Sequence, residues 1–185
     1  MSIKPEESMG YWLFYAQRTI AYAFTEVLKQ CCLEHNKPYV ITPPQWGGLS
    51  LLYETDGLTI STISQRRGID APTVTGIVSR MEQNGLVERR HDRIDRRVVR
   101  VYLTDEGREA YEFLISAAED FNATLTRSMS EAEQRDLLLK LQRLIANAAT
   151  VAPGTGDRFG LLPHNLLSSS PEQVTSQSAD PITQG

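Results

Sequence analysis

From about residue 8 to Glu34, apolar side chains recur around most of a helical circumference rather than along one stripe. The pattern predicts one long helix, opened by Glu6 or Ser8 and carrying six of the chain's fourteen aromatic residues: Tyr11, Trp12, Phe14, Tyr15, Tyr22 and Phe24. One-sided packing cannot satisfy so apolar a helix, which is expected to face both its own domain and a second chain. Thr42 then caps a second helix, with Pro43 and Pro44 in its first turn and Trp46, Leu49, Leu52 and Tyr53 following. Gly47 and Gly48 interrupt that helix at roughly 1 kcal/mol each relative to alanine. Close packing against the first helix, or room for a ligand, would justify the loss.

Between Leu58 and Leu103 the periodicity changes several times. Thr59 caps a short helix from Ile60 to Arg67, which Gly68 ends. Asp70 and Pro72 open the next, where Val74, Ile77, Val78 and Met81 recur at helical spacing and leave Thr73, Thr75, Gly76, Ser79 and Arg80 for solvent or a partner. Asn84-Gly85 stops it. Leu86–Arg90 and Val98–Leu103 have strand character, and the residues joining them, His91 to Arg97, are too polar for a core. Two short helices, a sharp turn and an arginine-crowded hairpin make a winged helix-turn-helix. In that arrangement the second helix enters a DNA major groove, and the hairpin tip reaches the flanking backbone or the minor groove.

Thr104 caps a further helix, about Asp105 to Arg127, with Asp105 and Glu106 where the helix dipole favours acids. Ser130 caps a last one, apolar along Leu137, Leu138, Leu141, Leu144 and Ile145. These form a long antiparallel hairpin that a homodimer would bury, placing two reading helices about one DNA turn, ~34 Å, apart. The predicted class is mainly α with a small β-wing, a winged helix-turn-helix flanked by long N- and C-terminal dimerisation helices. From Thr150 prolines punctuate a Ser-, Thr-, Gln- and Gly-rich tail expected to be flexible, except that FGLLPHNLL (residues 159–167) is apolar enough to dock.

Charge sharpens the picture. Residues 57–103 hold nine arginines, no lysine and five acids, a net of +4, whereas the whole chain is −4. An acidic protein that gathers arginine on one module has built a local anion site. Surface ion pairs on a solvated hairpin are the plainer reading, but six arginines between Arg89 and Arg100 exceed what solubility needs.

Other chemistries find little here. Cys31 and Cys32 are adjacent, without the spacing of zinc or redox motifs; they read as small apolar helix residues, with a thiol switch as the alternative. His35, His91 and His164 are widely separated, so no metal or other cofactor is expected. No nucleophile, base and orienter stand at a recognisable spacing, so the chain is expected not to be an enzyme. Neither a membrane-length apolar run nor a signal segment is present, and the expected location is the cytoplasm.

The motifs ITPPQW (Ile41–Trp46), GLVERR (Gly85–Arg90) and DRIDRRVVRVYLTDEG (Asp92–Gly107), with the helix-turn-helix between them, resemble the MarR family of bacterial transcription regulators over roughly Met9 to Ala149. The resemblance implies a division into a dimerisation and pocket helix (6–40), a DNA-binding module (41–103), dimerisation helices (104–149) and the tail (150–185). It implies a dimer on a pseudo-palindromic operator, acting as a repressor. Thr73, Thr75, Ser79 and Arg80 would lie in the major groove, and Arg97 would reach the minor groove with Asp95 holding its guanidinium. Arg93 and Arg96 would touch phosphates, and Thr59, Ala71, Pro72, Gly76 and Arg90 complete the DNA-facing set. A small aromatic acid, phenol or acyl thioester would release the DNA from a cavity lined by helix aromatics. Tyr11, Tyr15, Arg18 and Tyr22 share one stripe and Trp46 and Tyr53 another, and either stripe serves equally for core and interface packing. The family's peroxide-sensing branch carries its cysteine earlier in the first helix, a pattern from which this sequence departs; a redox-sensing regulator using Cys31 and Cys32 is the alternative reading.

Overall fold

Helices begin where the sequence supplies a hydroxyl or carboxylate for the unpaired amides of the first turn. In the computed structural model, which describes residues 4–151, Ser8 accepts from the Tyr11 amide and opens α1 (Met9–Glu34). Thr42 opens α2 (Pro43–Glu54), its amide and hydroxyl donating to Gln45 Oε1 at 2.9 and 2.8 Å. The side chains of Thr59, Asp70 and Thr104 instead accept from the Thr62, Thr73 and Gly107 amides and open α3 (Ile60–Arg67), α4 (Ala71–Gln83) and α5 (Asp105–Thr126). Gly68 ends α3 in the left-handed region at φ 61°, which costs glycine little.

The predicted hairpin is β2 (Val87–His91) and β3 (Val99–Leu103), with Val87 opposite Leu103 and Arg89 opposite Val101. A strand absent from the sequence pattern, β1 (Leu58–Thr59), pairs with the other edge of β3, giving an antiparallel sheet in the order β1-β3-β2. Two residues are too few to show the alternation by which a strand is recognised.

The elements up to Met129 form one packed unit. Its core joins Leu28 of α1, Leu49 and Leu52 of α2, Met81 of α4, Val101 of β3 and Leu114 of α5, all buried. The connection from α1 to α2 is strapped to α5: the buried Tyr39 hydroxyl donates to Glu106, and Lys37 Nζ lies 3.1 Å from Glu106 and 2.8 Å from Glu109. The hydrogen bond from Tyr39, more than the Lys37 charge, holds the Glu106 carboxyl below its usual range, while burial pushes the Tyr39 phenol up.

The two α2 glycines correct an expectation. Their missing side chains make room for α3 and α4 rather than for α1. A Cβ on Gly47 would lie 1.9 Å from Nη2 of Arg67, and one on Gly48 would lie 3.2 Å from Sδ of Met81. Gly107 is equally constrained: a Cβ there would stand 2.0 Å from the Leu86 carbonyl oxygen.

α6 (Glu131–Val151) belongs to a second unit. Ser130 and Glu133 cap it reciprocally, the Ser130 amide and hydroxyl donating to Glu133 Oε2 at 2.7 and 2.8 Å. The apolar stretch 159–167, with the rest of the tail after Val151, lies outside the described residues. No described helix is long and apolar enough to cross a membrane.

Candidate nucleic-acid interface

The α4 pattern buries Val74, Ile77, Val78 and Met81, which turns the opposite face outward. Ala71, Pro72, Thr73, Thr75 and Arg80 are exposed there, and Gly76 and Ser79 are half-buried. Intrahelical bonds hold the polar groups: Thr73 Oγ1 donates to Asp70 Oδ2 (2.8 Å), Thr75 Oγ1 to the Ala71 carbonyl (2.8 Å), and Arg80 Nε to the Gly76 carbonyl (3.3 Å). Each hydroxyl keeps acceptor capacity, and Arg80 keeps further donors, for an outside partner. Thr59 is spent on its cap, bonded to the Thr62 amide and hydroxyl.

The hairpin arginines separate into two groups. Arg89 reaches back to α4, bonding Glu82 at 2.6 Å and Ser79 Oγ at 3.0 Å. Arg90 pairs with Glu88 and lies over the Tyr102 ring, and Arg100 bonds Asp92 (2.5 Å) and the Gly57 carbonyl (3.0 Å). Arg89 and Arg100 brace the fold, whereas Arg90 stays exposed and is occupied within the hairpin itself. Arg93, Arg96 and Arg97 are exposed, and among the described residues nothing engages their guanidinium groups.

Asp92 shapes the loop that presents them. Its Oδ1 accepts from the amides of Ile94 (2.9 Å) and Asp95 (3.0 Å) and its Oδ2 from Arg100. The Asp95 amide first, then the Arg100 guanidinium and the Ile94 amide, lower its carboxyl to about 2. Asp95 corrects a second expectation: its Oδ1 accepts from the backbone amide of Arg97 (3.0 Å), not from the guanidinium. The carboxylate therefore fixes the turn and leaves the Arg97 side chain free to reach outward.

The aromatic stripes are divided. Tyr11 and Tyr15 stack with centroids 6.1 Å apart on the exposed first half of α1, where Arg18 also lies, and these three border no described cavity. Tyr22 does. It lines a pocket of about 520 Å³ with Gln17, Ala21 and Thr25 of α1, Thr42 to Pro44, and Arg67 and Ile69. Trp46 and Tyr53 share a face as predicted but use it to sandwich Tyr111, with centroids 5.3 and 3.9 Å away; Trp46 also edges a second cavity of about 390 Å³ between α1 and α5.

The residue that sequence reasoning passed over is Arg67. Its guanidinium is pressed on Gly47 at the pocket wall, its pKa lowered by burial, and no described acid pairs with it. The glycine pair was the visible signal, but its partner is a tertiary fact. Cys31 and Cys32 are buried and burial pushes both thiols up, the opposite of what a reactive thiolate requires. Among the described residues no three His, Cys, Asp or Glu side chains gather as metal ligands.

An outward helix face beside a braced cationic wing is the geometry of a winged-helix DNA-binding module. Comparison with known proteins agrees. The MarR family model matches residues 41–99. Over 107 residues the chain is 36% identical to YsmB, an uncharacterized HTH-type transcriptional regulator of Bacillus subtilis (strain 168), spanning 58% of this chain and 73% of that protein. The crystal structure of a probable transcriptional regulator from Pseudomonas aeruginosa superposes with a TM-score of 0.67 at 28% identity, covering 76% of this chain and 99% of the other. The S. aureus MepR–DNA complex superposes with a TM-score of 0.62 at 26% identity, covering 72% and 96%. The chain belongs to the MarR family.

Proposed function

We propose that the chain is a homodimeric cytoplasmic repressor that holds a pseudo-palindromic operator until a small aromatic acid, phenol or acyl thioester enters the pocket between α1, the start of α2 and the end of α3. The observation that carries this reading is the pairing of an exposed α4 face with three arginines whose guanidinium groups have no partner among the described residues. Thr73, Thr75, Ser79 and Arg80 contact base edges in the major groove, Arg97 enters the minor groove, and Arg93 and Arg96 hold phosphates. MepR, similar in fold and sequence over most of this chain, was crystallised on DNA.

Dimerisation assigns residues 6–40 and 104–149 to the interface and 41–103 to the DNA. It accounts for exposed Trp12, Phe14, Tyr15 and Tyr22 on α1 and exposed Leu137 to Leu139 on α6, which are costly to leave in water. The pocket of about 520 Å³ is within the range of small-molecule sites, and Tyr22, Pro43, Pro44 and Ile69 supply apolar walls around the single cation Arg67. Because Arg67 sits on α3, a carboxylate bound there acts on the helix-turn-helix itself. Such a ligand shifts the equilibrium only by its difference in affinity for the two states.

The test is selection of genomic fragments by the purified chain, followed by release with benzoate and with neutral benzyl alcohol. The expected outcome is one enriched inverted repeat, freed by benzoate and not by the alcohol. Absence of enrichment over bulk DNA overturns the regulator reading; enrichment with indifference to benzoate overturns only the anionic effector.

A further inference from the structure

Ile94 stands at the tip of the wing, 98% exposed, between Arg93 and the Arg96–Arg97 pair. A single exposed apolar residue ordinarily needs no explanation. Here the backbone that carries it is fixed from several sides. The Ile94 amide donates to Asp92 Oδ1, the Asp92 amide donates to the Val98 carbonyl (2.8 Å) and the Val98 amide to the Asp95 carbonyl (2.9 Å), and His91 Nδ1 meets the Arg96 carbonyl at 2.8 Å. The tip is thus a braced turn presenting one branched apolar side chain, surrounded by guanidinium groups that nothing in the described chain engages.

That combination suits one target. Phosphates flank a DNA minor groove whose walls are sugar C–H surface, and side chains that enter it beside arginines are often apolar wedges that partly unstack a base step. Pyrimidine–purine steps such as TA and CA open most cheaply. We propose that Ile94 is a minor-groove wedge, inserted at the outer flank of each half-site and selecting for a deformable step there. This rests on the DNA-binding reading above and adds a specificity determinant to it. Arg93 and Arg96 set the wing's height on the backbone, Arg97 occupies the groove beside the isoleucine, and Asp92 keeps the tip from folding back.

The test uses the full chain and a duplex that it selects from a random library. Ile94→Ser leaves the fold untouched because the side chain makes no internal packing, so its melting temperature should match that of the wild type. Its affinity should fall about tenfold or more, the effect of leaving one isoleucine unburied. The slope of log K against log salt should stay the same, since no charge is removed. Reselection with Ile94→Ser should keep the half-site cores and lose the TA or CA preference at their flanks. Arg97→Ala is the control for the wing. If Arg97→Ala weakens binding and Ile94→Ser does not, the wing is on the DNA and the wedge is wrong. If neither variant changes binding, the wing is not at the DNA, and the wedge falls together with the wing contacts assigned under the proposed function.

Discussion

Gly107→Ala places a methyl group 2.0 Å from the Leu86 carbonyl oxygen, at the joint between the wing and α5. Carbon and carbonyl oxygen come no closer than about 3.3 Å in ordinary contacts, so the first turn of α5 must retreat by more than about 1 Å. The carbonyl cannot simply turn away, because it accepts from the Thr104 amide at 3.2 Å, and Thr104 both caps α5 and donates to the Gly85 carbonyl at 2.6 Å. Overpacking of this kind costs about 1–3 kcal/mol, and more where backbone rather than a side chain must yield. Replacing a helical glycine by alanine returns up to about 1 kcal/mol. The net expectation is a loss of about 2 kcal/mol, which for a urea slope of roughly 2 kcal/mol per molar lowers the unfolding midpoint by about 1 M. Urea unfolding followed by tryptophan fluorescence, at one fixed protein concentration because assembly contributes to stability, reads this directly. A midpoint equal to or above that of the wild type would refute the close approach.

Gly47→Ala meets the far end of a flexible side chain instead, so Arg67 swings aside; the urea midpoint should hold or rise while benzoate loses its effect on DNA release, and a retained benzoate response would show that Arg67 is not the anion's partner. The Asp92 carboxyl, lowered to about 2 from an ordinary 3.8, contributes its full bracing above its ordinary value and loses it only as pH falls toward 2. Amide exchange at Ile94 and Asp95, corrected for its intrinsic pH dependence, should therefore show constant protection from pH 8 to pH 5, and Asp92→Asn should weaken operator binding several-fold at pH 7. Cys31 and Cys32 should stay unmodified when the native protein is treated with mild peroxide and weighed by mass spectrometry; an oxygen adduct formed without unfolding would restore the thiol-switch alternative.

What could be read in advance was whatever local physical chemistry dictates. Ser8, Thr42, Thr59, Asp70, Thr104 and Ser130 each start a helix for the same reason, a side-chain oxygen beside unpaired amides, and the period-2 run Val99–Leu103 is a strand. The outward face of α4 followed from the spacing of its buried residues. What stayed hidden depends on partners distant in sequence. Whether a given arginine is scaffold or surface is decided by Glu82, Glu88 and Asp92, so counting six wing arginines overstated how many are available. The expected Asp95 contact fell on a backbone amide because the turn brings that amide, not the guanidinium, to the carboxylate. Gly47 was visible as a costly residue, but only the approach of α3 shows that Arg67 fills its space.

The most direct measurement is the salt dependence of binding to the selected operator, compared between the wild type and an Arg93→Gln, Arg96→Gln double variant. Each phosphate contact contributes about −0.9 to the slope of log K against log salt, so removing four contacts from a dimer should flatten it by about 3 to 4. The double variant should bind more weakly at every salt concentration with the flatter slope. An unchanged slope would mean that the arginines of the wing never touch the DNA backbone.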